Sequence, residues 1–293
     1  MNLPVTIEHR TVTHLTRFGR TTAIVHLEGL GEHGYGEEVT FQAADLLPAS
    51  ARTPWRYSGA FDGFALGLFE RAPEYDVVRH YRRWAFEAAA LDLALRQAGL
   101  RFDEMVGRTP APVEFVVSNG LPAGARLKID ATELRPGLPV DVIDFKGLGD
   151  RAAVERALEL YPDALLEDPP VVVPGARVSW DIPITSADEI HRLREKPAAI
   201  NVKPARIGSA AALFALYDLC AAEGIAMYGG GQHELGPGRA QIQLLASLFH
   251  PHAPNDVAPA GYNEPQPPAG LPTGSLEITP RAGFGLEGWA PTL

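Results

Sequence analysis

The chain has 293 residues, 46% of them hydrophobic and 21% charged, enough apolar material for one large domain or two smaller ones and too much for a disordered chain. The formal charge is −10 with no basic cluster, which argues against nucleic acid or an anionic membrane surface as partner. One cysteine, Cys220, excludes an intrachain disulfide and any cysteine-cluster metal site, and fits a reducing cytoplasm.

The opening MNLPVTIEHR has no apolar core of a secretory signal, and no run of apolar residues is long enough to predict a membrane span. Val5–Phe18 and Thr21–Leu27 alternate and are rich in β-branched residues. Arg17-Phe18-Gly19-Arg20 joins them as a hairpin turn. A second turn, GLGEHGYGEE, leads to a third strand over Val39–Phe41, giving a three-stranded meander. Trp55, Arg56 and Tyr57 follow in a predicted loop. Tyr75–Gly99 reads as a long helix, with Trp84, Ala88, Leu91, Leu95 and Ala98 at helical spacing and Gly99 as its stop. Strands followed by a helix predict a small α+β domain over residues 1–105.

From residue 106 to 259 the pattern changes. Short apolar runs recur at 113–117, 127–129, 140–145, 164–166, 178–180, 199–202, 225–228 and 256–258. Helical segments at 151–160, 187–194, 209–222 and 239–249 separate several of them. Continuously apolar strands alternating with helices predict a parallel sheet, and eight of them predict a closed (β/α)8-type barrel. An open doubly wound sheet is the alternative, but no G-x-G-x-x-G follows the first strand. The crossovers at 131–139 and 170–177 are short and carry Pro and Gly. A parallel crossover normally needs about a dozen residues, so the barrel is modified, with two outer helices lost. Apolar strand faces left bare there predict an oligomer, most simply a dimer, unless the Pro- and Gly-rich tail 260–293 packs back over them.

Charge falls at the strand ends. LKID places Lys128 and Asp130, VIDFK places Asp144 and Lys146, LLEDP places Glu167 and Asp168, VSWD places Asp181 and INVK places Lys203. C-terminal strand ends face the catalytic mouth of a parallel barrel, and residues i and i+2 share a face. Of the adjacent Glu167 and Asp168, one points inward. Acids on three successive strands, without Cys or paired His, suit a hard oxygen-seeking cation, most simply Mg2+. The competing reading of any one of these acids is a helix cap.

These segments resemble the enolase superfamily, close to its muconate-lactonizing and mandelate-racemase-like branch. GLGEHGYGEE is similar to the Gly-x-Gly-Glu turn of that family's capping domain. WAFEAAALDLALRQAGLRFDEMVG is similar to the Ala-rich helix leading into its barrel. LLEDP, WDIPITSADEI and INVKPARIGS resemble the fourth to sixth strand ends, and IAMYGGGQHELGPGRAQ the seventh strand and its loop. The resemblance implies an α/β fold: a modified (β/α)8-type barrel with an N-terminal α+β capping domain. It implies Asp144, Glu167 and Asp181 as Mg2+ ligands, Lys203 as general acid or base, and Lys128 facing it across the substrate. Asp130, Lys146, Arg206, Gln232, His233 and Glu234 are then candidate substrate contacts. The implied reaction removes a proton α to a carboxylate through an enediolate, as a lyase of dehydratase or cycloisomerase type or as a racemase or epimerase. Small-domain residues 55–57 would close over the mouth.

The chain departs from the family pattern. Where the second strand usually ends Lys-x-Lys it has Lys128-Ile129-Asp130, and where the third usually ends Asp-x-Asn it has Asp144-Phe145-Lys146. A catalytically altered relative that binds a carboxylate without turnover is therefore the alternative. A hydrolase working with two carboxylates is a more distant one.

Overall fold

The computed structural model describes residues 2–40, 43–67, 76–118, 120, 122, 124–264 and 266–287. Its N-terminal sheet is antiparallel, in the order β3-β2-β1-β4, with β1 Pro4–Arg17, β2 Arg20–Gly29, β3 Glu32–Glu38 and β4 Ser50–Ala60. The β1–β2 turn is tight because Phe18 and Gly19 both take positive φ, 52° and 71°, as the twist of a two-residue hairpin demands. Two expectations are corrected. The third strand is the EHGYGEE stretch itself and not 39–41, of which Phe41 lies outside the described residues. Residues 55–57 belong to a fourth strand, not to a loop: Trp55 packs edge-on against Phe64 and Phe86, beneath the Arg10 guanidinium.

The glycines of β3 explain how this sheet meets α2, Asp76–Gln97. A Cβ on Gly34 would lie 2.2 Å from the Ala89 carbonyl, and one on Gly36 1.9 Å from that of Ala85. Only an Ala-faced helix against a Gly-x-Gly strand can approach this closely. The helix is bounded by the described residues at 76, so the predicted start at Tyr75 lies outside them. Asp92 on its buried face accepts from Tyr35 N (3.0 Å), Phe284 N (2.8 Å) and the Arg281 guanidinium (3.1 Å). One carboxylate thereby ties helix, sheet and tail. Short helices α1 Phe61–Gly67 and α3 Phe102–Val106, not foreseen, flank α2.

The second sheet is parallel, in the order β6-β7-β8-β9-β10-β11. Its strands are β6 Leu127–Asp130, β7 Val140–Asp144, β8 Leu165–Glu167, β9 Arg177–Trp180, β10 Ala199–Val202 and β11 Ala226–Gly229. Isolated parallel bridges close it into a ring. Val117, beyond β5 Val113–Glu114, pairs with Leu127; Phe115 pairs with Asn255; Gly230 pairs with Asp256. The predicted eighth strand is present only as these bridges. Helices α4 Arg151–Leu160, α5 Ala187–Arg192, α6 Pro204–Ile207, α7 Ala210–Glu223 and α8 Pro237–Phe249 pack outside.

The crossovers 131–139 and 168–176 contain no α-helix; the first has only a 3-10 turn, Ala131–Glu133. Own-chain residues cover the first gap: Tyr262, Leu271 and Leu276 of the tail join Leu134, Leu138, Ile129 and Ile143 in one apolar cluster. The tail also adds strand β12, Ser275–Leu276, antiparallel to β5. Beside the second gap a cleft of about 770 Å3 remains, lined by Val171, Val172, Val178, Trp180 and Leu193. No helix among the described residues is long and apolar enough to cross a membrane.

Asp92→Ala should lower the unfolding free energy by about 3 kcal/mol or more, because it leaves Arg281 and two backbone N–H groups without their buried acceptor. Urea unfolding measures this. A loss below ~1 kcal/mol would show that the tail is held by its apolar contacts alone.

Candidate active site

Strand alternation sorts the barrel interior into layers. Val142, Leu165, Ala199 and Tyr228 point inward and plug the lower barrel with apolar surface. Two residues further along β7, β8 and β10 the inward positions become Asp144, Glu167 and Asn201, and two beyond Asn201, past the end of β10, comes Lys203. The mouth is thus a charged layer on an apolar floor, as a parallel barrel favours.

Glu167 is its centre and has no solvent exposure. Its Oε1 accepts from Lys128 Nζ at 2.6 Å, and its Oε2 from Asn201 Nδ2 at 3.2 Å and from the Tyr228 hydroxyl. Burial and the Glu167 charge push the Tyr228 hydroxyl upward, so it stays protonated and donates. Lys128 Nζ also lies 3.5 Å from Asp256 and 3.7 Å from Asp144. Burial by itself would lower that ammonium, but attraction to Glu167, Asp256, Asp144 and Asp181 outweighs it and holds the group well above its ordinary range. Asp144 is pushed up to about 6, by burial first and then by the Glu167 charge.

A second pole lies across the mouth. Asp181 Oδ2 accepts from Lys203 Nζ at 2.6 Å and Oδ1 from Arg206 Nη1 at 2.9 Å. Pro204 at the first turn of α6 directs the chain away behind Lys203. The Gln232 amide group faces the Arg206 guanidinium, and the orientation that satisfies both puts its oxygen there, accepting from Nη2 at 2.6 Å and Nε at 3.1 Å. Glu234 is buried and accepts from Gln232 N at 2.8 Å.

Of the three expected ligand acids, Asp144 and Glu167 come together, and Asp181 is drawn aside by its two cations. Among the described residues, the carboxylates that cluster with oxygens within 4.8 Å of one another are Asp144, Glu167 and Asp168. Asp168 has positive φ, 46°, and its two oxygens accept from Asp181 N and Ile182 N at 3.0 Å each. Burial pushes its carboxyl up to about 6 against those hydrogen bonds. Glu167 is therefore the inward member of the adjacent pair and Asp168 a turn acceptor beside it. Oxygen-only donors, crowded and partly desolvated, fit a hard divalent cation.

The remaining candidates are scattered. Lys146 Nζ and Asp130 Oδ2 pair at 2.5 Å on the rim, where the Lys146 side chain is 55% exposed. Asp130 is also bonded to Thr132 N, as a cap. His233 is exposed, with positive φ of 70°. Beside it opens a cavity of about 380 Å3, lined by Arg20, Phe18, Leu235 and Glu264 among others. Two small-domain residues of the first hairpin, Phe18 and Arg20, line that cavity. Three mouth residues were not among the sequence candidates: Tyr228, an aromatic in an apolar run; Asp256, the first residue of the predicted 256–258 run, which is reduced to bridges; and Ser118, which donates to Asp256 at 2.5 Å.

Sequence models for the N-terminal and C-terminal domains of DUF8230, a family described as of unknown function, match residues 1–105 and 130–264. An o-succinylbenzoate synthase from Geobacillus kaustophilus is 23% identical, over 79% of this chain and 75% of its own. An N-succinylamino acid racemase from Amycolatopsis sp is 41% identical, but over only 20% of this chain and 16% of its own. In structure, a muconate cycloisomerase from Pseudomonas fluorescens superposes with a TM-score of 0.70 at 15% identity, covering 96% of each chain. A mandelate racemase/muconate-lactonizing enzyme homologue from Roseovarius nubinhibens, complexed with magnesium, superposes with a TM-score of 0.64 at 18% identity, covering 97% of this chain and 96% of its own.

Lys128→Met should destabilise the fold by about 3–5 kcal/mol, because it strands the Glu167 carboxylate without its cation. Adding Glu167→Gln should restore most of that loss. Denaturant unfolding of the single and double variants checks it; additive losses would mean the two side chains do not compensate each other.

Proposed function

We propose, for a chain that carries the fold of the enolase superfamily and resembles its muconate-lactonizing branch, that it removes a proton α to the carboxylate of a small organic acid. The observation that carries this reading is a pair of buried lysines on opposite sides of one acidic mouth. Lys128 reaches in from β6 against Glu167, and Lys203 reaches in past β10 against Asp181.

Asp144 and Glu167 would hold Mg2+, with Asp181 as third ligand. Asp181 is preferred to Asp168 because its present partners are side chains that can swing away, whereas Asp168 holds two backbone N–H groups of a turn. A divalent cation bound there supplies positive charge beside the substrate carboxylate, without which the α-proton is too weakly acidic for a side-chain base. This chain's own residues do the rest. Lys203 takes or returns the proton. Arg206, held by Asp181 and Gln232, orients the substrate carboxylate. The apolar floor of Val142, Leu165 and Ala199 keeps water from below. Lys128 is engaged by three carboxylates and Lys203 by one, so a single mobile base fits better than a matched pair. That favours a lyase of dehydratase or cycloisomerase type over a racemase or epimerase. The alternative reading, a relative that binds a carboxylate without turnover, is favoured by the same engagement of Lys128. A second copy of the chain is the proposed occupant of the 770 Å3 cleft beside Val172, and light scattering reading a monomer would remove that part.

Small carboxylic acids screened in D2O for loss or exchange of the α-proton should reveal a substrate. On that substrate Lys203→Ala should lower turnover by at least ~10²-fold. Its stability should change little, because Arg206 still pairs Asp181. Full activity of Lys203→Ala would sink the mechanism. Separately, millimolar Mg2+ should raise the thermal midpoint of the protein and not that of Asp144→Asn. Absence of any Mg2+-dependent shift would favour the non-catalytic reading.

A further inference from the structure

An edge strand of the capping sheet, β3, holds a buried carboxylate that the reaction does not use. Glu37 on β3 is 1% exposed. It points out of its own sheet into the loop between β11 and α8, about two hundred residues away in sequence. Oε1 accepts from Leu235 N at 2.6 Å and from Thr22 Oγ1 at 2.7 Å. Oε2 accepts from Gly236 N at 2.9 Å and Gly238 N at 3.0 Å.

Helix α8 needs such an acceptor. Its first N–H groups have no partner within the helix, and its N-cap residue, Gly236, has no side chain to offer one. A carboxylate from the capping sheet takes that place, with its charge at the positive end of the helix. The loop is shaped to admit it. A Cβ on Gly238 would lie 2.9 Å from Glu37 Oε2 and 2.8 Å from Glu234 Cγ. Burial pushes the Glu37 carboxyl up to about 7 against these hydrogen bonds, so the contact is made at a cost that an unconstrained surface acid would not bear.

The clamped loop also carries mouth residues. Glu234, next to Leu235, accepts from Gln232 N at 2.8 Å. The Gln232 amide oxygen accepts from Arg206, and Arg206 donates to Asp181, which holds Lys203. We propose that Glu37 is a positioning residue: it clamps the 230–238 loop to the capping sheet and so fixes, through Gln232, the Arg206 guanidinium beside Asp181. It touches neither substrate nor reacting atoms. What it positions is catalytic on the reading given above, but the mechanical link stands on these hydrogen bonds alone.

The test follows amide and guanidinium protons by NMR in the full chain, comparing wild type with Glu37→Gln and Gly238→Ala. The first removes the charge from the capping side; the second pushes the helix off the carboxylate from the barrel side. In both, the Leu235, Gly236 and Gly238 amides should exchange at least ~10-fold faster. The Arg206 Nε–H should exchange faster as well, while amides in the middle of α2 keep their protection. Faster exchange at 235–238 with an unchanged Arg206 Nε–H would make Glu37 a helix cap only and overturn the proposal. Unchanged exchange throughout would overturn it too. If Glu37→Gln fails to fold, Gly238→Ala decides by the same two criteria. No reading requires turnover, so failure of the proton-abstraction assignment leaves the outcome legible.

Discussion

A carboxylate with no solvent exposure must be compensated wherever it sits, and Glu167 imposes that condition on the whole barrel mouth. Its two oxygens draw in Lys128 from β6, Asn201 from β10 and Tyr228 from β11. The ring is thereby fixed at its upper end by charge and hydrogen bonds, as Val142, Leu165, Ala199 and Tyr228 fix it lower down by packing. Removing charge from one member leaves the others unpaired in a medium of low dielectric. The mouth therefore behaves as one electrostatic unit, and its several acids are tolerated because each has a specific partner.

Two poles result from that arrangement. Around Lys128, acids outnumber cations: Glu167, Asp144 and Asp256 surround one ammonium. Around Asp181, two cations surround one acid. Excess negative charge on one side suits a metal ion, and excess positive charge on the other suits a carboxylate ligand. The capping domain meets the barrel at the loop after β11. The first hairpin contributes Phe18 and Arg20 at the cavity beside His233, and β3 contributes Glu37 beneath the loop that follows β11.

The legibility of this protein in its sequence has a physical pattern. The helix over 151–160 and the apolar strands were readable because hydrophobic periodicity is a local property. The β3 strand was not, because EHGYGEE has the composition of a turn. It extends by pairing with β2 along its length, and Gly34 and Gly36 let α2 pack on it at backbone distance. β4 was hidden in the same way: SARTPWRYSGA has few apolar residues and gains its pairing from β1. The short crossovers announced lost helices by counting alone, but that Tyr262 and Leu276 would fill one gap while a cleft stays beside the other required the packed tail.

At the site the same division holds. The sequence by itself determined that acids and lysines stand at successive strand ends, and that the donor set is oxygen-only; alternation aimed Lys128 with Asp130, Asp144 with Lys146 and Asn201 with Lys203 at the mouth, and Asp130 and Lys146 fall on its rim instead. It could say that either Glu167 or Asp168 faces the mouth, but not which. Tertiary structure decided that, since the positive φ of Asp168 turns it onto the Asp181 and Ile182 amides and leaves Glu167 inside. It also decided that Asp181 pairs with Lys203 and Arg206, that Asp130 and Lys146 pair with each other at the rim, and that Tyr228 and Asp256 join the site. Local pattern fixes which face of a strand a side chain takes; which partner it meets across the barrel depends on strand order and register, which exist only once the ring has closed.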